Sequence, residues 1–459
     1  MMSPITRRQV LGGSVAVAAL AALSACGSGT PGQSKSQEES AKAASAAGVT
    51  EITFWHRTFT PVENAWYKKV VQDFNKAQSK IIVKDTEIPA DAWDQKMKAA
   101  QAAGKAPDVY THSGSIADAV RLGQIHELDS LMDKSKLEEI IDAAKPIAQQ
   151  DGKYYAYPLL LEPQTVLFWN KDMFKAAGLD PEKGPTSWDE LFQTCAKLKP
   201  TLKSGQYCIS TAEDSATFAW SSVGQQMNFA GHTALTDDWT KPNVEDDGYK
   251  KLIAAYKKLW DNGYIPKQPL AAYVEGKDYG QKKVAMKVSG SWMMSEIGSD
   301  YKDLLTTTGI CPFPSADGKA NQPTSTLGNF KWVVDAKSKN AKAAADFIAW
   351  ALAGDPEVLV PFFVQTQFTK APVRKTVADA VSKDEKAATA PWSSVVTKDV
   401  VPYAIPEPVY PWDVSLAVGL AMEKGMKGAK SADDALKEAA TTIQKVIDRD
   451  KLASIAPKK

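Results

Sequence analysis

Short strands alternate with amphipathic helices from residue 49 onward, and this order limits the fold more than any other feature of the sequence. Residues 51–55 predict a first strand, and residues 64–78 carry apolar side chains at the spacing of one helical face. Residues 81–83 and 107–111 predict the next two strands, with a second helix between them. Such alternation favours parallel sheets covered by helices, in which ligands bind at the carboxyl ends of strands.

The first 48 residues carry an export signature rather than a fold. Arg7 and Arg8 precede an apolar stretch, residues 15–23, which is shorter than the ~20 apolar residues that a membrane span needs. Residues 1–25 therefore predict a signal peptide with a twin-arginine start, and residues 26–48 predict a polar, flexible tether.

The apolar stretch ends in Leu-Ser-Ala-Cys-Gly, which resembles a bacterial lipobox. This resemblance implies that Cys26 becomes a lipid-modified N-terminus, which anchors an exported protein to the outer face of the cytoplasmic membrane. An ordinary secretion signal, cut near Ala25, is the alternative. Further on, Cys195 and Cys208 can form a disulfide in an exported protein. Buried free thiols are the other option, and Cys311 has no partner in either case.

The composition excludes several classes of function. The chain has 55 Lys+Arg and 54 Asp+Glu, so it lacks the strongly basic balance typical of nucleic-acid-binding proteins. Its four histidines speak against a His-rich metal site, and we expect neither a metal nor a cofactor. His-Glu-x-x-His, Gly-x-Ser-x-Gly and Walker A motifs are absent from the sequence. We therefore expect a binding protein rather than an enzyme.

The most specific pattern is a series of segments in a fixed order. Residues 157–159, 166–174, 177–179 and 186–191 form a first group, which includes Trp-Asn-Lys-Asp-Met-Phe and Thr-Ser-Trp-Asp-Glu-Leu. The later segments are residues 283–292, 327–341, 371–375 and 433–447. Taken together they resemble the extracellular solute-binding proteins (family 1) of ABC importers over about residues 50–450. Trp169 stands where that family usually has Tyr.

The resemblance implies an α/β fold of the periplasmic-binding-protein type II class, with two lobes, a hinge and a ligand cleft between the lobes. We expect lobe 1 to comprise residues 49–160 and 327–367, and lobe 2 to comprise residues 161–326 and 368–459. Such a protein would be a monomer that captures a carbohydrate, a di- or oligosaccharide, as the lobes close. It would then deliver the sugar to the permease subunits of an ABC transporter.

A sugar has an apolar C–H face and a rim of hydroxyls, so its site needs aromatic platforms and polar side chains. Trp292 is the leading platform, because it follows a predicted strand and matches a family position that stacks on sugar; burial in the core is its alternative. The other candidates lie at strand ends, at predicted lobe crossings or in the late Pro-rich loop. They are His56, Arg57, His112, Ser113, Glu162, Gln164, Glu213, Asp214, Trp220, Asn329, Phe330, Arg374, Tyr410 and Trp412.

Two other functions compete with sugar binding. A glycerol phosphoester or another polyol would need a cationic pocket, for which Arg57 and Arg374 are the available pair. A secreted glycoside hydrolase would need two converging carboxylates, which Glu162, Glu213 and Asp214 could supply.

Overall fold

The computed structural model of the chain describes residues 48–90 and 92–456. The expected signal peptide, Cys26 and the tether up to residue 47 lie outside these described residues. The alternation of strands and helices predicted for residues 51–111 is present in the structure. The strands are β1 (Thr50–Arg57), β2 (Ile81–Ile88), β3 (Val109–Ser113), β4 (Gln149–Gln150), β5 (Lys153–Tyr154), β6 (Tyr157–Pro163), β7 (Val166–Asn170), β8 (Tyr207–Ser210), β9 (Val284–Ser289), β10 (Thr308–Pro312), β11 (Thr326–Val334), β12 (Ala371–Pro372) and β13 (Ile405–Pro406).

Helices connect and cover these strands. They are α1 (Pro61–Ala77), α2 (Trp93–Ala102), α3 (Ala117–Arg121), α4 (Lys134–Glu138), α5 (Lys145–Ala148), α6 (Lys171–Ala176), α7 (Trp188–Leu198), α8 (Ser215–Ser221), α9 (Val223–Ala230), α10 (Asp247–Asp261), α11 (Lys277–Gly280), α12 (Met293–Asp300), α13 (Ala341–Leu352), α14 (Val360–Gln365), α15 (Lys375–Val381), α16 (Pro391–Ser394), α17 (Trp412–Met426) and α18 (Ala432–Asp450). Side-chain oxygens fix several helix starts. The Ser187 hydroxyl accepts the N–H of Glu190 at 3.1 Å where α7 begins, for example.

The first sheet has the strand order β12-β6-β11-β3-β1-β2, with β13 paired to the start of β11. β1 runs parallel to β2 and β3, whereas β11 runs antiparallel to both β3 and β6. The carboxyl ends of β1, β3 and β6 therefore lie at one edge of the sheet, where β11 begins. This edge is the place where an open sheet of this kind binds ligands.

The second sheet has the order β10-β7-β9-β8. β8 is parallel to β9, and β7 is antiparallel to β9, so the ends of β8 and β9 share one edge with the start of β7. β6 of the first sheet leads into β7 of the second through Gln164 and Thr165 alone. The chain thus joins the edge of the first sheet where β1, β3 and β6 end, which is the candidate ligand-binding edge, directly to the corresponding edge of the second.

Each sheet has its own hydrophobic core. In the first core, the ring of Trp332 on β11 lies 4.5 Å from that of Phe54 on β1 and 5.2 Å from that of Phe347 on α13. In the second core, Trp188 of α7 packs edge-on against Tyr256 of α10 at 5.2 Å. Two cores around two sheets are the architecture that the sequence predicts for a two-lobe fold.

The chain leaves the first core later than the sequence analysis expected. Lobe 2 was expected to resume at residue 368, but Val373, Val377 and Val381 pack in the first core. Tyr410 and Val414 pack in the second core. The physical reason is that β12 pairs with β6, which holds the following helix α15 against the first sheet.

Cys195, Cys208 and Cys311 are free thiols. The Sγ of Cys208 lies 3.4 Å from the carbonyl oxygen of Cys195, and burial raises the pKa of the Cys195 thiol. Among the described residues, no single helix is both long and apolar enough to cross a bilayer. Residues 341–352 and 356–365 reach that length and composition only as a pair, which is bent by 83°.

Gly419 allows α17 to approach α8 closely. A Cβ at this position would come within 2.1 Å of the carbonyl oxygen of Ser215, so the two helices would have to separate. We expect Gly419→Ala to destabilise the protein by about 1–3 kcal/mol, the range of overpacked cores, even though Ala favours a helix. Urea unfolding monitored by circular dichroism measures this change.

Leu420→Ala is the matched control, because Leu420 is the next residue on α17 and 39% of it is exposed. It should cost less than Gly419→Ala. Equal or smaller destabilisation by Gly419→Ala would contradict the close approach of the two helices.

Candidate ligand-binding site

A buried charge cluster occupies the ligand-binding edge of the first sheet. The Lys370 ammonium contacts the carboxylate of Glu162, at the end of β6, and lies 3.4 Å from Oε1 of Glu63 in the first turn of α1. The backbone N–H and hydroxyl of Thr60 donate to the other oxygen of Glu63 at 3.2 and 2.6 Å. Burial raises the pKa of Glu162, while Lys370 opposes that shift. Two carboxylates from different elements therefore share one lysine.

Arg57, the last residue of β1, faces this cluster. Burial lowers the pKa of its guanidinium, and the charges of Asp94 and Glu162 oppose that shift. Across the whole cluster, the positive groups Lys370 and Arg57 balance the carboxylates of Glu63 and Glu162. This balance leaves little unpaired charge at the edge of the first sheet.

A second polar network lies beside it, where β11 begins. The Gln164 amide donates to one carboxylate oxygen of Glu407 at 2.5 Å, and the Asn329 amide lies 3.5 Å from the other. The Lys331 ammonium donates to the side-chain oxygen of Asn329 and to the carbonyl oxygen of Gly114. Burial lowers the pKa of Lys331 to about 8 and raises that of Glu407. The loop that carries Glu407 is thereby tied to β3, β6 and β11.

Aromatic side chains line the matching edge of the second sheet. Trp292 follows β9, and its indole N–H donates to the carbonyl oxygen of Val274 at 3.0 Å. Its ring centroid lies 6.3 Å from that of Trp220 on α8, which in turn meets Tyr273 edge-on at 5.3 Å. The Tyr273 hydroxyl donates to the carbonyl oxygen of Gln164 at 2.8 Å. The aromatic cluster of Trp220, Tyr273 and Trp292 therefore adjoins the crossing between the sheets, with both indoles partly exposed.

Glu213 is a buried carboxylate without a hydrogen-bond or ion-pair partner in the part of the chain that the structure describes. It follows β8, and since β8 is parallel to β9 it lies at the same sheet edge as Trp292. Only 5% of it is exposed, and this burial raises its pKa to about 7. The charges that act on it are those of Lys427, Lys287, Asp278 and Asp214.

Two candidates from the sequence lie inside the first lobe and are held by structural contacts. The His56 ring stacks on Tyr67 at 4.6 Å, and its Nε2 lies 3.8 Å from an Asp85 oxygen. The Arg374 guanidinium pairs with Glu139 at 2.7 Å, and it also donates to the carbonyl oxygens of Leu352 and Gly354 at 3.0 Å. Only 3% of Arg374 is exposed, so these contacts use its hydrogen-bonding capacity.

The remaining candidates have varied surroundings. Asp214 accepts the N–H of Thr217 at 2.8 Å and so caps α8, and Phe330 packs edge-on against Phe59 at 4.7 Å. Tyr410 is buried edge-on against Trp239 at 6.1 Å.

Trp412 begins α17 and is 46% exposed. Ser113 is exposed at the end of β3, and its neighbour His112 pairs in register with Lys331 of β11. Among the described residues, the buried Nδ1 of His112 has no hydrogen-bond partner, and burial together with Lys331 lowers the pKa of this ring to about 3.

The structure adds residues that the sequence analysis did not select. Lys370, Lys331, Glu407 and Tyr273 contact selected side chains, and Glu63 contacts Lys370. Glu63 follows Thr60 in the pattern of a helix start, and this pattern gives no sign of its ion pair with Lys370. Glu407 lies between two prolines in the late loop, and this position could have identified it as a candidate. Within residues 48–90 and 92–456, no group of three or more His, Cys, Asp or Glu side chains is arranged to hold a metal ion.

Comparison with known proteins gives relatives that are named as binding proteins, for different ligands. The arabinooligosaccharide-binding protein of Bacillus subtilis is 24% identical over 319 residues, which are 68% of this chain and 71% of that protein. The sn-glycerol-3-phosphate-binding periplasmic protein UgpB of Escherichia coli is 26% identical over 347 residues, which are 67% of this chain and 72% of that protein.

Solved structures share the fold. A Thermotoga lettingae ABC transporter solute-binding protein bound with α-D-tagatose matches with a TM-score of 0.74 and 22% identity, over 86% of this chain and 99% of that one. The GacH receptor of Streptomyces glaucescens, solved unliganded and with acarbose, matches with a TM-score of 0.72 and 22% identity, over 87% and 98%. The predicted type II, two-lobe α/β fold is thus confirmed.

A family model also covers most of the globular part of the sequence. The model for bacterial extracellular solute-binding proteins matches residues 69–390. This range contains most of the first sheet, the whole second sheet and the crossing between them. The chain therefore belongs to the bacterial extracellular solute-binding protein family.

Proposed function

We propose that this chain is the substrate-binding component of an ABC importer and that it captures a neutral di- or oligosaccharide between its lobes. The aromatic cluster of Trp220, Tyr273 and Trp292 is the observation that carries the proposal. Two partly exposed indoles beside a sheet edge offer the flat apolar surface on which the C–H face of a sugar ring stacks. The arabinooligosaccharide in the name of one relative, and the acarbose bound by one solved structure of the same fold, support the same class.

Polar groups around the aromatic cluster suit sugar hydroxyls. Glu213 has a buried carboxylate with free acceptor capacity, and a buried acceptor gains most from a ligand that donates to it. Gln164 has a buried side-chain oxygen without a partner among the described residues. Such unmet acceptors favour a ligand with several O–H donors, and they disfavour one that lacks them.

The charges of the site favour a neutral sugar over a phosphoester. A phosphate needs unpaired cations, but Arg374 is occupied by Glu139, and Lys370 is shared by Glu162 and Glu63. Of the two arginines that a phosphoester site would use, only Arg57 faces the cleft edge. The nearby carboxylates would also repel an anion.

Hydrolysis of a glycoside is less compatible with the same contacts than binding is. A hydrolase needs two carboxyl groups free to act on opposite sides of one bond. Glu162 is ion-paired with Lys370, and Asp214 caps a helix. Glu213 is then the one free carboxylate of the three candidates.

Ligand capture would follow from the position of the site between the lobes. Contacts made to both sheet edges at once exist only when the lobes are closed, so the ligand shifts the population toward the closed state. Residues 163–166, at the crossing from β6 to β7, are the natural hinge. The closed monomer would then dock on the permease and release the sugar there.

A thermal-shift screen tests the proposed ligand class. Maltotriose, mannotriose, arabinotriose and glycerol-3-phosphate are added to the mature chain, and a ligand at 100 times its Kd should stabilise it by about 2.7 kcal/mol. We expect one of the neutral sugars to respond. For that sugar, Trp292→Ala should raise the Kd, measured by calorimetry, about tenfold or more, since a stacking platform is lost.

Trp260→Ala is the control, because Trp260 lies on α10 under Lys267, with the Lys267 ammonium 3.8 Å from its ring centroid. It should leave the Kd unchanged. A response to glycerol-3-phosphate alone would replace the sugar by a phosphoester, and an equal effect of the two tryptophan variants would remove Trp292 from the site.

The raised pKa of Glu213 predicts pH-dependent binding. A sugar hydroxyl donates to the ionised carboxylate, and below a pKa of about 7 the bound proton must first be released. The affinity should therefore increase from pH 6 to pH 8, by up to about tenfold. Glu213→Gln should remove most of this dependence, because it has no proton to release. A Kd that falls equally with pH in both proteins would assign the effect to another group, such as Lys331.

Export and anchoring are proposed from the N-terminal sequence. Cys26→Ser in the full chain should release the protein from the membrane of a Gram-positive host into the medium, whereas Cys311→Ser should leave it anchored. Cell fractionation followed by detergent partition measures both. Membrane association that survives Cys26→Ser would exclude a lipid at this cysteine.

A further inference from the structure

A strained turn lies between α14 and β12. Gln367 and Phe368 are consecutive non-glycine residues with positive φ, 59° and 55°, a conformation that L-residues avoid. Thr369 closes the turn, since its hydroxyl donates to the carbonyl oxygen of Thr366 at 2.7 Å. The Trp392 indole N–H donates to the carbonyl oxygen of Gln367 at 2.6 Å. Strain of this kind persists only where surrounding contacts hold it, and it is common at functional sites.

The two residues after the strained pair, Thr369 and Lys370, contact both lobes. We call them the anchor pair. On the side of the second lobe, the hydroxyl of Ser291 donates to the carbonyl oxygen of Thr369 at 2.6 Å. On the side of the first lobe, the Lys370 ammonium is shared by Glu162 and Glu63. Both residues of the anchor pair are buried.

Ser291 makes a second bond across the lobes. Its backbone N–H donates to the carbonyl oxygen of Pro163, the last residue of β6, at 3.0 Å. Ser291 directly precedes Trp292, and Pro163 directly follows Glu162. The aromatic platform and the buried carboxylate are therefore each one residue away from a contact between the lobes.

We propose that the anchor pair is a positioning element, which holds Trp292 of the second lobe and Glu162 of the first lobe at a fixed position relative to each other. This inference rests on the proposed function for its consequence, sugar binding, but not for the coupling itself. Ser291 and Lys370 act through their neighbours and need not touch the ligand. The strained turn fixes the anchor pair, so that a movement of one side is passed to the other.

A purely structural role predicts something different. If the contacts only stabilised their own lobe, loss of the Ser291 hydroxyl would loosen α12 and its surroundings alone. If the anchor pair couples the two halves, the same loss must loosen residues 157–163 and 366–372 as well. The two cases are distinguished by where the change occurs rather than by its size.

Hydrogen exchange with mass spectrometry on the mature chain, without ligand, tests this coupling. We expect Ser291→Ala to increase exchange several-fold at residues 289–298, 157–163 and 366–372. Ser299→Ala is the matched control, since the Ser299 hydroxyl donates only to Glu296 in its own helix. Its effect should stay within residues 296–300. An effect of Ser291→Ala that is confined to 289–298 would overturn the proposal.

Variants of Lys370 provide a second test from the first lobe. Lys370→Arg keeps the charge between the two carboxylates and should preserve the wild-type exchange pattern. Lys370→Gln leaves both carboxylates buried without their cation, and it should increase exchange at residues 289–292 across the lobe contact. If Lys370→Gln does not fold, the Ser291→Ala result decides alone. Unchanged exchange at 289–292 in a folded Lys370→Gln would contradict the coupling.

Binding measurements connect the coupling to the site. With whichever of maltotriose, mannotriose and arabinotriose binds the wild type, Ser291→Ala should raise the Kd about fivefold, the effect of one lost hydrogen bond. If none of the sugars binds the wild type, the proposed function fails, whereas the exchange pattern still decides the coupling. An unchanged Kd with altered exchange would remove the role in binding.

Discussion

The direct passage from β6 to β7 is the constraint on which the rest of the structure depends. Two residues, Gln164 and Thr165, carry the chain from one sheet to the other. The N–H of Gln164 donates to the carbonyl oxygen of Thr326 at 2.9 Å, where β11 begins. Because β6 ends and β7 starts at the ligand-binding edges of their sheets, this short link brings the two edges together. A longer connection would restrict the distance between the aromatic cluster and the charge cluster less.

Charge balance at the first edge has consequences for specificity more than for stability. Buried ion pairs seldom add net stability, because desolvation offsets the Coulomb attraction, but removing one partner is strongly destabilising. Lys370 between Glu162 and Glu63 is such an arrangement. The charges of Lys370, Glu162 and Glu63 therefore largely neutralise one another. This pairing supports the proposed neutral sugar, because hydrogen-bond acceptors and aromatic faces suit hydroxyl groups better than phosphate.

Alternation of strands and helices is a local pattern, so the sequence predicted the α/β class directly, whereas the two lobes were implied by the resemblance to a family. The sequence analysis also selected Trp292, Trp220 and Glu213, which the structure brings to one sheet edge. Strand parity would have removed His56 from the candidates, since it shares the buried face of β1 with Ile52 and Phe54. No local sequence pattern indicates the role of Lys370 or the position of the late lobe crossing. They depend on β12, a two-residue strand whose pairing with β6 is decided by tertiary contacts.

The Ser289-Gly290-Ser291-Trp292 segment determines the position of the Trp292 indole, and each of its residues contributes to that position. The Ser289 hydroxyl donates to the carbonyl oxygen of Tyr273 at 2.8 Å and so holds the loop beside the aromatic cluster. Gly290 leaves room for the indole, since a Cβ there would lie 1.9 Å from the Trp292 ring. Ser291 bonds to the first lobe through its N–H and its hydroxyl. The indole is therefore held by its own backbone, by its own lobe and by the opposite lobe, so under the proposed function the position of its stacking surface would change with lobe closure.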